Sequence, residues 1–579
     1  MNARRDHPLT PTLSPGGGEG AKRRGALSRT RERAGVRVDE RTPMPAEHRK
    51  VIVASGLGAL FEWYDFYLYG ALAAILAKQF FATLDPRLAL VFALLGFAAG
   101  FVVRPVGALL FGRLGDLIGR KYTFLFTLLL MGAATFIVGL LPGHETIGVA
   151  APVALVVLRL LQGLAIGGEY GGVVTYVAEH APPGKRGAYT GWIQATATLG
   201  LLLALLVIAV TRGALGEEAF AEWGWRIPFL LSVLLLVVSV WIRLSLKESP
   251  PFLRIKQGGR WSRRPLAEAF GRWSNVKLVI VALFGLVAGQ AVVWYTGQFQ
   301  VLFFMTLHLK VDDTTASLLT AIALALGTPL FVVFGALSDR VGRKPIILTG
   351  CLLAALSYFP LFEALTRAAN PALADAQAKV SVTLSAAPEQ CSWQFNPLGV
   401  SGASSPCDFA RQLLASRAVR YDSVAGRGPV RVTIAGRDVE VAGREIEIAA
   451  DDASRRVLND ALDAAGYPAR ADPARIDRPL VVGIVFLLVL FVTMVYGPIA
   501  ALLVEMFPTR VRCSSVSLPY HIGNGWFGGL LPATTFAIGA QTGDLQSGLW
   551  YPVVIALATV VIGALFVPET KDRDIYAND

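Results

Sequence analysis

The chain is expected to fold as an all-α polytopic membrane protein of two related halves, with a small α+β exterior insertion. Three observations predict this. Of 579 residues, 54% are hydrophobic, only 17% are charged, and the mean hydropathy is +0.52, against roughly 45–50% apolar and about 25% charged in soluble domains. Apolar runs of about 20 residues, the length that spans a bilayer as a helix, recur about twelve times. They lie near 51–80, 88–111, 122–141, 150–177, 187–211, 226–246, 276–306, 316–337, 345–366, 479–503, 514–540 and 548–567. Finally, a ten-residue phrase occurs twice, GRLGDLIGRK over Gly112–Lys121 and GALSDRVGRK over Gly335–Lys344. Each copy sits in a short polar turn between two apolar runs.

A second phrase, E-x-x-P-x-x-x-R, also repeats, at Glu179–Arg186 and Glu505–Arg512. Duplicated halves that join charged turns to apolar helices point to a secondary transporter. Residues 1–49, rich in Arg, Gly and Pro, are expected to be a disordered basic tail, with Met44 the expected initiator. Residues 50–248 form an N-terminal six-helix bundle, 249–275 a cytoplasmic linker, and 276–366 helices seven to nine of a second bundle. Residues 367–478 are an insertion, 479–569 helices ten to twelve, and 570–579 a cytoplasmic tail.

The net charge is +12, but Lys and Arg concentrate in alternate loops: Arg113, Arg120 and Lys121; Lys185 and Arg186; the stretch from Arg243 to Lys277; Arg340, Arg343 and Lys344. This places both termini and the repeated phrases in the cytoplasm. The basic excess reports topology rather than a nucleic-acid partner. The lipid bilayer is the expected partner, in a bacterial inner membrane.

The repeats locate the insertion. Glu505 follows Glu179 by 326 positions, whereas Gly335 follows Gly112 by 223. The extra 103 residues entered the second half after the ninth helix, where they face the exterior. Val430–Ile434 and Asp438–Val441 alternate apolar and polar residues around Ala435-Gly436-Arg437, as a hairpin does. A short helix is expected near Asp408–Val419. Another, capped by Ser454, runs through Val457, Leu458, Ala461 and Leu462 and stops at Gly466. Cys391 and Cys407 are expected to form a disulfide there, which an exterior location permits. With no His in the insertion, no metal is expected.

Charged groups inside a bilayer cost roughly 2.5–3.5 kcal/mol on insertion scales, so they are normally paired or solvated in a cavity. The first helix carries Glu62 and Asp65 on one face. The second carries Arg104, and the fourth Arg159, Gln162 and Glu169. An Arg beside a carboxylate favours its charged form, and separating the two in a dry site favours protonation. Asp65, Glu62, Arg159 and Glu169 are therefore the candidate proton-coupling residues, with static ion pairing the alternative. Tyr64, Arg104, Gln162, Gln290, Tyr295, Gln298, His521 and Asn524 are candidates to line a substrate cavity; interhelical hydrogen bonding is their plainer role. The repeated phrases fit a cytoplasmic gate of Gly112, Asp116, Gly119, Arg120, Glu179 and Arg186 in one half and Asp339, Arg343, Glu505 and Arg512 in the other.

These phrases resemble the major facilitator superfamily of twelve-helix transporters. Glu62-Trp63-Tyr64-Asp65-Phe66, Arg104-Pro105-Val106-Gly107 and RLLQGLAIGGEYGG (Arg159–Gly172) look like its metabolite:proton symporter family. So do GWRIPF (Gly224–Phe229), KESPPF (Lys247–Phe252) and IGNGWFGG (Ile522–Gly529). The resemblance implies proton-driven uptake of small organic acids or zwitterions by alternating access. Similarity to the more distant sugar/proton symporters, which share the closing VPETK (Val567–Lys571), implies that Asp65 and Arg159 form the proton switch. Many symporters of this family have Gly-Asn before the first-helix acid, where this chain has Gly58-Ala59, and the exterior insertion is atypical.

A monomer with a small-molecule substrate and protons as partners, and with no cofactor, is expected. An exporter or exchanger of organic anions, or a nutrient-sensing receptor using the insertion, are the alternatives. No nucleophile–base motif, phosphate loop or metal-ligand spacing suggests an enzyme.

Overall fold

A computed structural model describes residues 46–82, 96, 99–244, 247–259, 261–392, 405–441 and 452–575. The expected tail, apart from its last four residues, lies outside them, as does much of the run 88–111. The spanning helices are α1 (Ala46–Ala71), α2 (Arg104–Leu117), α3 (Arg120–Leu140), α4 (Ala150–His180), α5 (Arg186–Leu215) and α6 (Arg226–Leu244). After them come α7 (Trp273–His308), α8 (Asp313–Val341), α9 (Arg343–Ala369), α10 (Arg478–Met506), α11 (Arg512–Ile522) and α12 (Trp550–Phe566). Among the described residues, nine helices are long and apolar enough to cross a membrane. The remaining runs depart for local reasons: α1 is diluted by Glu62 and Asp65, the second run is described only in part, and the eleventh is broken. Beyond α11 a π turn at Gly523–Gly528 leads into a further helix, Leu531–Thr542.

The outside of the bundle is apolar. Trp241, Leu565, Leu356 and Leu234 are 60–74% exposed, an arrangement that suits lipid, where backbone polar groups must be satisfied within each helix. Between the halves, α2 packs along α11 and α5 along α8. Backbones approach closely there: a Cβ on Gly187 would meet the Gly335 carbonyl at 2.2 Å, and one on Gly112 would meet Ser514 Cα at 2.9 Å. Small residues at helix crossings are what lipid-embedded packing uses.

Gly119 and Gly342 sit at equivalent places in the two phrases and share an unusual backbone, with φ of 122° and 120°. A Cβ would lie 2.3 Å from Glu248 Oε2 at Gly119 and 2.6 Å from Glu569 Oε2 at Gly342. Gly119→Ala and Gly342→Ala are each expected to cost about 1–3 kcal/mol of backbone strain, read as a lower thermal unfolding midpoint of the detergent-solubilised protein.

The insertion begins where Asn370 ends α9 and stops where Asp477 caps α10. Its core is a four-stranded sheet of order β2-β1-β3-β4, with β1 Val382–Ala386, β2 Asp422–Ala425, β3 Arg431–Ile434 and β4 Arg437–Glu440. β1 runs parallel to β2 and antiparallel to β3. The predicted hairpin is β3–β4, turned by Ala435 and Gly436, both at positive φ, as its two-residue turn requires. The helices are Pro406–Ser416 and Asp452–Ala464. Ser454 lies inside the second of these rather than capping it, and Gly466 (φ 93°) follows its end. Cys391 is disulfide-bonded to Cys407.

Two segments read as plain connections are built into the bundle. The expected linker 249–275 holds helices Pro250–Gln257 and Pro265–Phe270, with Phe252 and Ala269 buried. The expected tail is likewise anchored: Ile575 is buried, and its carbonyl accepts from Arg512 Nη2 at 3.1 Å and from Thr509 Oγ1 at 3.3 Å.

Candidate functional site

One end of the bundle is closed by a duplicated set of ion pairs, and the duplicates follow the sequence repeats. Asp116, at the end of α2, crosses to the other half and accepts from the Cys513 and Ser514 backbone N–H groups at 3.1 and 3.0 Å, and from Ser514 Oγ at 2.8 Å. Asp339, at the end of α8, accepts from the Gly187 and Ala188 N–H groups at 2.8 and 2.9 Å. Each carboxylate thus caps the otherwise unpaired first N–H groups of the opposite half's helix, where the helix dipole also favours a negative charge.

Beside them lie two buried carboxylates, each held by two arginines. Glu179 pairs with Arg120 of its own half (3.6 Å) and Arg512 of the other (2.7 Å). Glu505 pairs with Arg343 of its own half (3.1 Å) and Arg186 of the other (3.4 Å). Glu179 also bonds Ser249 Oγ, and Glu505 accepts from Thr570 Oγ1 at 2.6 Å. Glu248 and Glu569 accept from the first N–H groups of α3 and α9. The sequence reading missed these last four residues as gate elements, although Glu-Ser and Glu-Thr recur after the sixth and twelfth helices. All ten candidate gate residues fall at this end.

Toward the other end, rings from the two halves meet. Trp63 and Trp294 have centroids 5.9 Å apart, as do Tyr67 and Phe299; Phe101 and Tyr295 are 6.3 Å apart. Between ion pairs and rings lies a central cavity of about 20 Å³, lined by Glu62, Trp63, Arg104, Tyr170, Gln194 and His521 among others. That volume holds about one water.

Arg104 is 3% exposed and lies between the Phe66 and Phe101 rings, 4.7 and 4.2 Å from their centroids. Its Nε and Nη2 have no hydrogen-bond partner among the described residues, nor does either ring nitrogen of His521. Opposite, Tyr170 stacks on Tyr520 and accepts from Gln194 at 3.0 Å.

The candidate proton residues form two buried groups. Asp65 lies within reach of Thr135, to which Gln162 donates at 2.7 Å, and Gln162 in turn accepts from Arg159 at 2.5 Å. Thr135 and Gln162 thus lie between the acid and the base, with no direct ion pair between Asp65 and Arg159 among the described residues. In the second group Glu62 is close to Glu169 and within electrostatic range of Arg104, and Glu169 pairs with Arg243 at 3.4 Å. Arg243, which the charge pattern places among the cytoplasmic loop charges, instead belongs to this buried group. It is 1% exposed and turns inward from α6. Gly58 makes room for it, since a Cβ there would sit 1.6 Å from Arg243 Nη2.

Six of the eight proposed cavity residues do not line this cavity. Gln290 and Asn524 exchange hydrogen bonds of 3.3 and 3.2 Å, satisfying each other across α7 and the π turn. Tyr64 donates to the Pro228 carbonyl at 2.8 Å, and Gln162 belongs to the Asp65 group. Tyr295 joins the ring layer, and Gln298 is buried in a π turn of α7. Arg104 and His521 line the cavity. Trp63, Tyr170 and Gln194 join them there without having been singled out, because aromatic and amide residues in apolar helices give no sign of which face they occupy.

The model of the sugar (and other) transporter family matches residues 50–282 and 470–579, more than half of the chain. The shikimate transporter of Escherichia coli (strain K12) is 35% identical over 333 residues, 57% of this chain and 75% of that protein. The alpha-ketoglutarate permease of the same organism is 37% identical over 330 residues, 55% of this chain and 72% of that protein. Among solved structures, the major facilitator superfamily proton:xylose symporter XylE, 16% identical, aligns over 92% of this chain and 98% of its own with a TM-score of 0.59. The chain belongs to the sugar (and other) transporter family, built on the major facilitator fold, and is a membrane transporter rather than an enzyme.

Proposed function

We propose that the protein is a proton-coupled symporter that takes up a small organic acid or zwitterion by alternating access. It works as a monomer in a bacterial inner membrane, with both termini and the ion-pair end in the cytoplasm and the insertion outside. The observation that carries this reading is Arg104. A buried guanidinium with two nitrogens that have no partner among the described residues, lining a cavity between the two halves, calls for a carboxylate that arrives with the substrate. The shikimate transporter and the alpha-ketoglutarate permease, each more than a third identical over the aligned residues, are named for carboxylated compounds.

When the outer ring layer parts, a carboxylate reaches Arg104 and competes with Glu62 for it. Loss of that partner favours protonation of the buried Glu62. Asp65 responds in the same sense when movement of α4 draws the Gln162–Arg159 arm away. Protonated acids then let the bundle rock without an unpaired buried charge, and the ion-pair end opens. Uptake of labelled shikimate and 2-oxoglutarate by whole cells tests the reading. Accumulation that collapses on adding a protonophore supports it; accumulation that rises with the protonophore marks an exporter instead.

A further inference from the structure

A second cavity, of about 240 Å³, lies at the insertion end, well away from Arg104. Its walls come from four places. His308 ends α7, Glu363 and Arg367 face it from α9, Gln377 and Arg420 come from the insertion, and Asp544 comes from the connection to α12. The insertion is firmly seated around it: the Tyr421 N–H donates to the Gly543 carbonyl at 2.9 Å, its hydroxyl to the Ala540 carbonyl at 2.6 Å, and Asn370 Nδ2 to the Leu309 carbonyl at 2.9 Å. The space is therefore part of the folded chain rather than a gap between loose pieces. It falls just below the roughly 300–1,000 Å³ of drug-sized pockets, a size for a small metabolite.

The lining chemistry narrows the ligand. Both charge signs are present in pairs, Arg367 with Glu363 and Arg420 with Asp544 at 3.9 Å. The rim thus offers guanidinium groups to a carboxylate and carboxylates to an ammonium. His308 is 5% exposed and stacks on Phe536 with centroids 5.6 Å apart. It lies within reach of the Ala415 carbonyl, and its Nδ1 is buried. We propose that this cavity is a second binding site, distinct from the central one, for a small zwitterion with a free ammonium and a carboxylate, that is, an α-amino acid.

The test is equilibrium dialysis of the full chain in nanodiscs with radiolabelled L-alanine, L-serine and L-glutamine, using Arg104→Ala protein so that the central site is silenced. At least one of the three is expected to bind at one per chain. Ala374→Trp, which fills the cavity, should weaken that binding at least tenfold. Arg420→Gln, at the exposed rim, should do so by several-fold, and serves should the Trp variant fail to fold. Glycine betaine, which lacks an N–H, should bind more weakly than the amino acids. Three results would overturn the site: no amino acid bound by the Arg104→Ala protein, binding that survives both cavity variants, or 2-oxoglutarate bound in preference. Loss of binding on Arg104→Ala alone also overturns it, because the ligand then belongs to the central cavity, and the proposed transport function is untouched.

Discussion

Asp116→Ala is expected to spring the ion-pair end open. The substitution removes three hydrogen bonds to the start of α11 and leaves two buried N–H groups without an acceptor. Unsatisfied buried groups cost about 1–3 kcal/mol each, and loss of a helix cap about 0.5–2 kcal/mol. A shift of even about 3 kcal/mol between closed and open forms changes their ratio more than a hundredfold. Cys513, buried in this interface and not in a disulfide, reports the change directly. In a Cys351→Ser background, N-ethylmaleimide should label Cys513 at least tenfold faster in Asp116→Ala than in the parent. Asp339→Ala should do the same through α5, as the duplicated geometry requires. An equal labelling rate would mean that this end is held by helix packing and not by the carboxylates.

Replacing Arg104 should have the larger effect on the substrate. Truncating one partner of a buried charge pair costs about 2–5 kcal/mol, so Arg104→Ala is expected to weaken binding of shikimate or 2-oxoglutarate by at least about thirtyfold in calorimetric titration. Arg104→Lys should recover only part of this, because an ammonium lacks the planar fork that grips two carboxylate oxygens. Full affinity in Arg104→Ala would remove the reason for assigning an acidic substrate to the central cavity.

Much of the architecture was legible in the sequence because membrane helices announce themselves. The polar turns that carry the ion-pair end were legible because their residues are duplicated. What sequence could not supply was the partner. Glu179 and Arg120 share a half, and their pairing could be guessed from proximity. Arg512 reaches Glu179 only because α11 lies against α2, a contact that no local pattern encodes.

Arg243 shows the same limit from the other side. At the end of an apolar helix, Arg usually marks the membrane surface, and only the space left by Gly58 turns it inward. Gln290 and Asn524 appeared to await a substrate, yet they satisfy each other once α7 and the π turn are packed together. In the insertion, the hairpin turn was visible, but β1 and β2 were missed. Their parallel pairing joins segments nearly forty residues apart, and short strands of that kind leave little local trace.

The central claim is that buried carboxylates exchange an Arg-linked partner for a proton as the halves rock. Proteoliposomes bearing the Glu62→Gln, Asp65→Asn double variant test it most directly, with a pH gradient imposed and labelled 2-oxoglutarate or shikimate supplied outside. The prediction is that uphill accumulation vanishes while exchange of labelled for unlabelled substrate at equal pH continues. Undiminished pH-driven accumulation by the double variant would contradict the account.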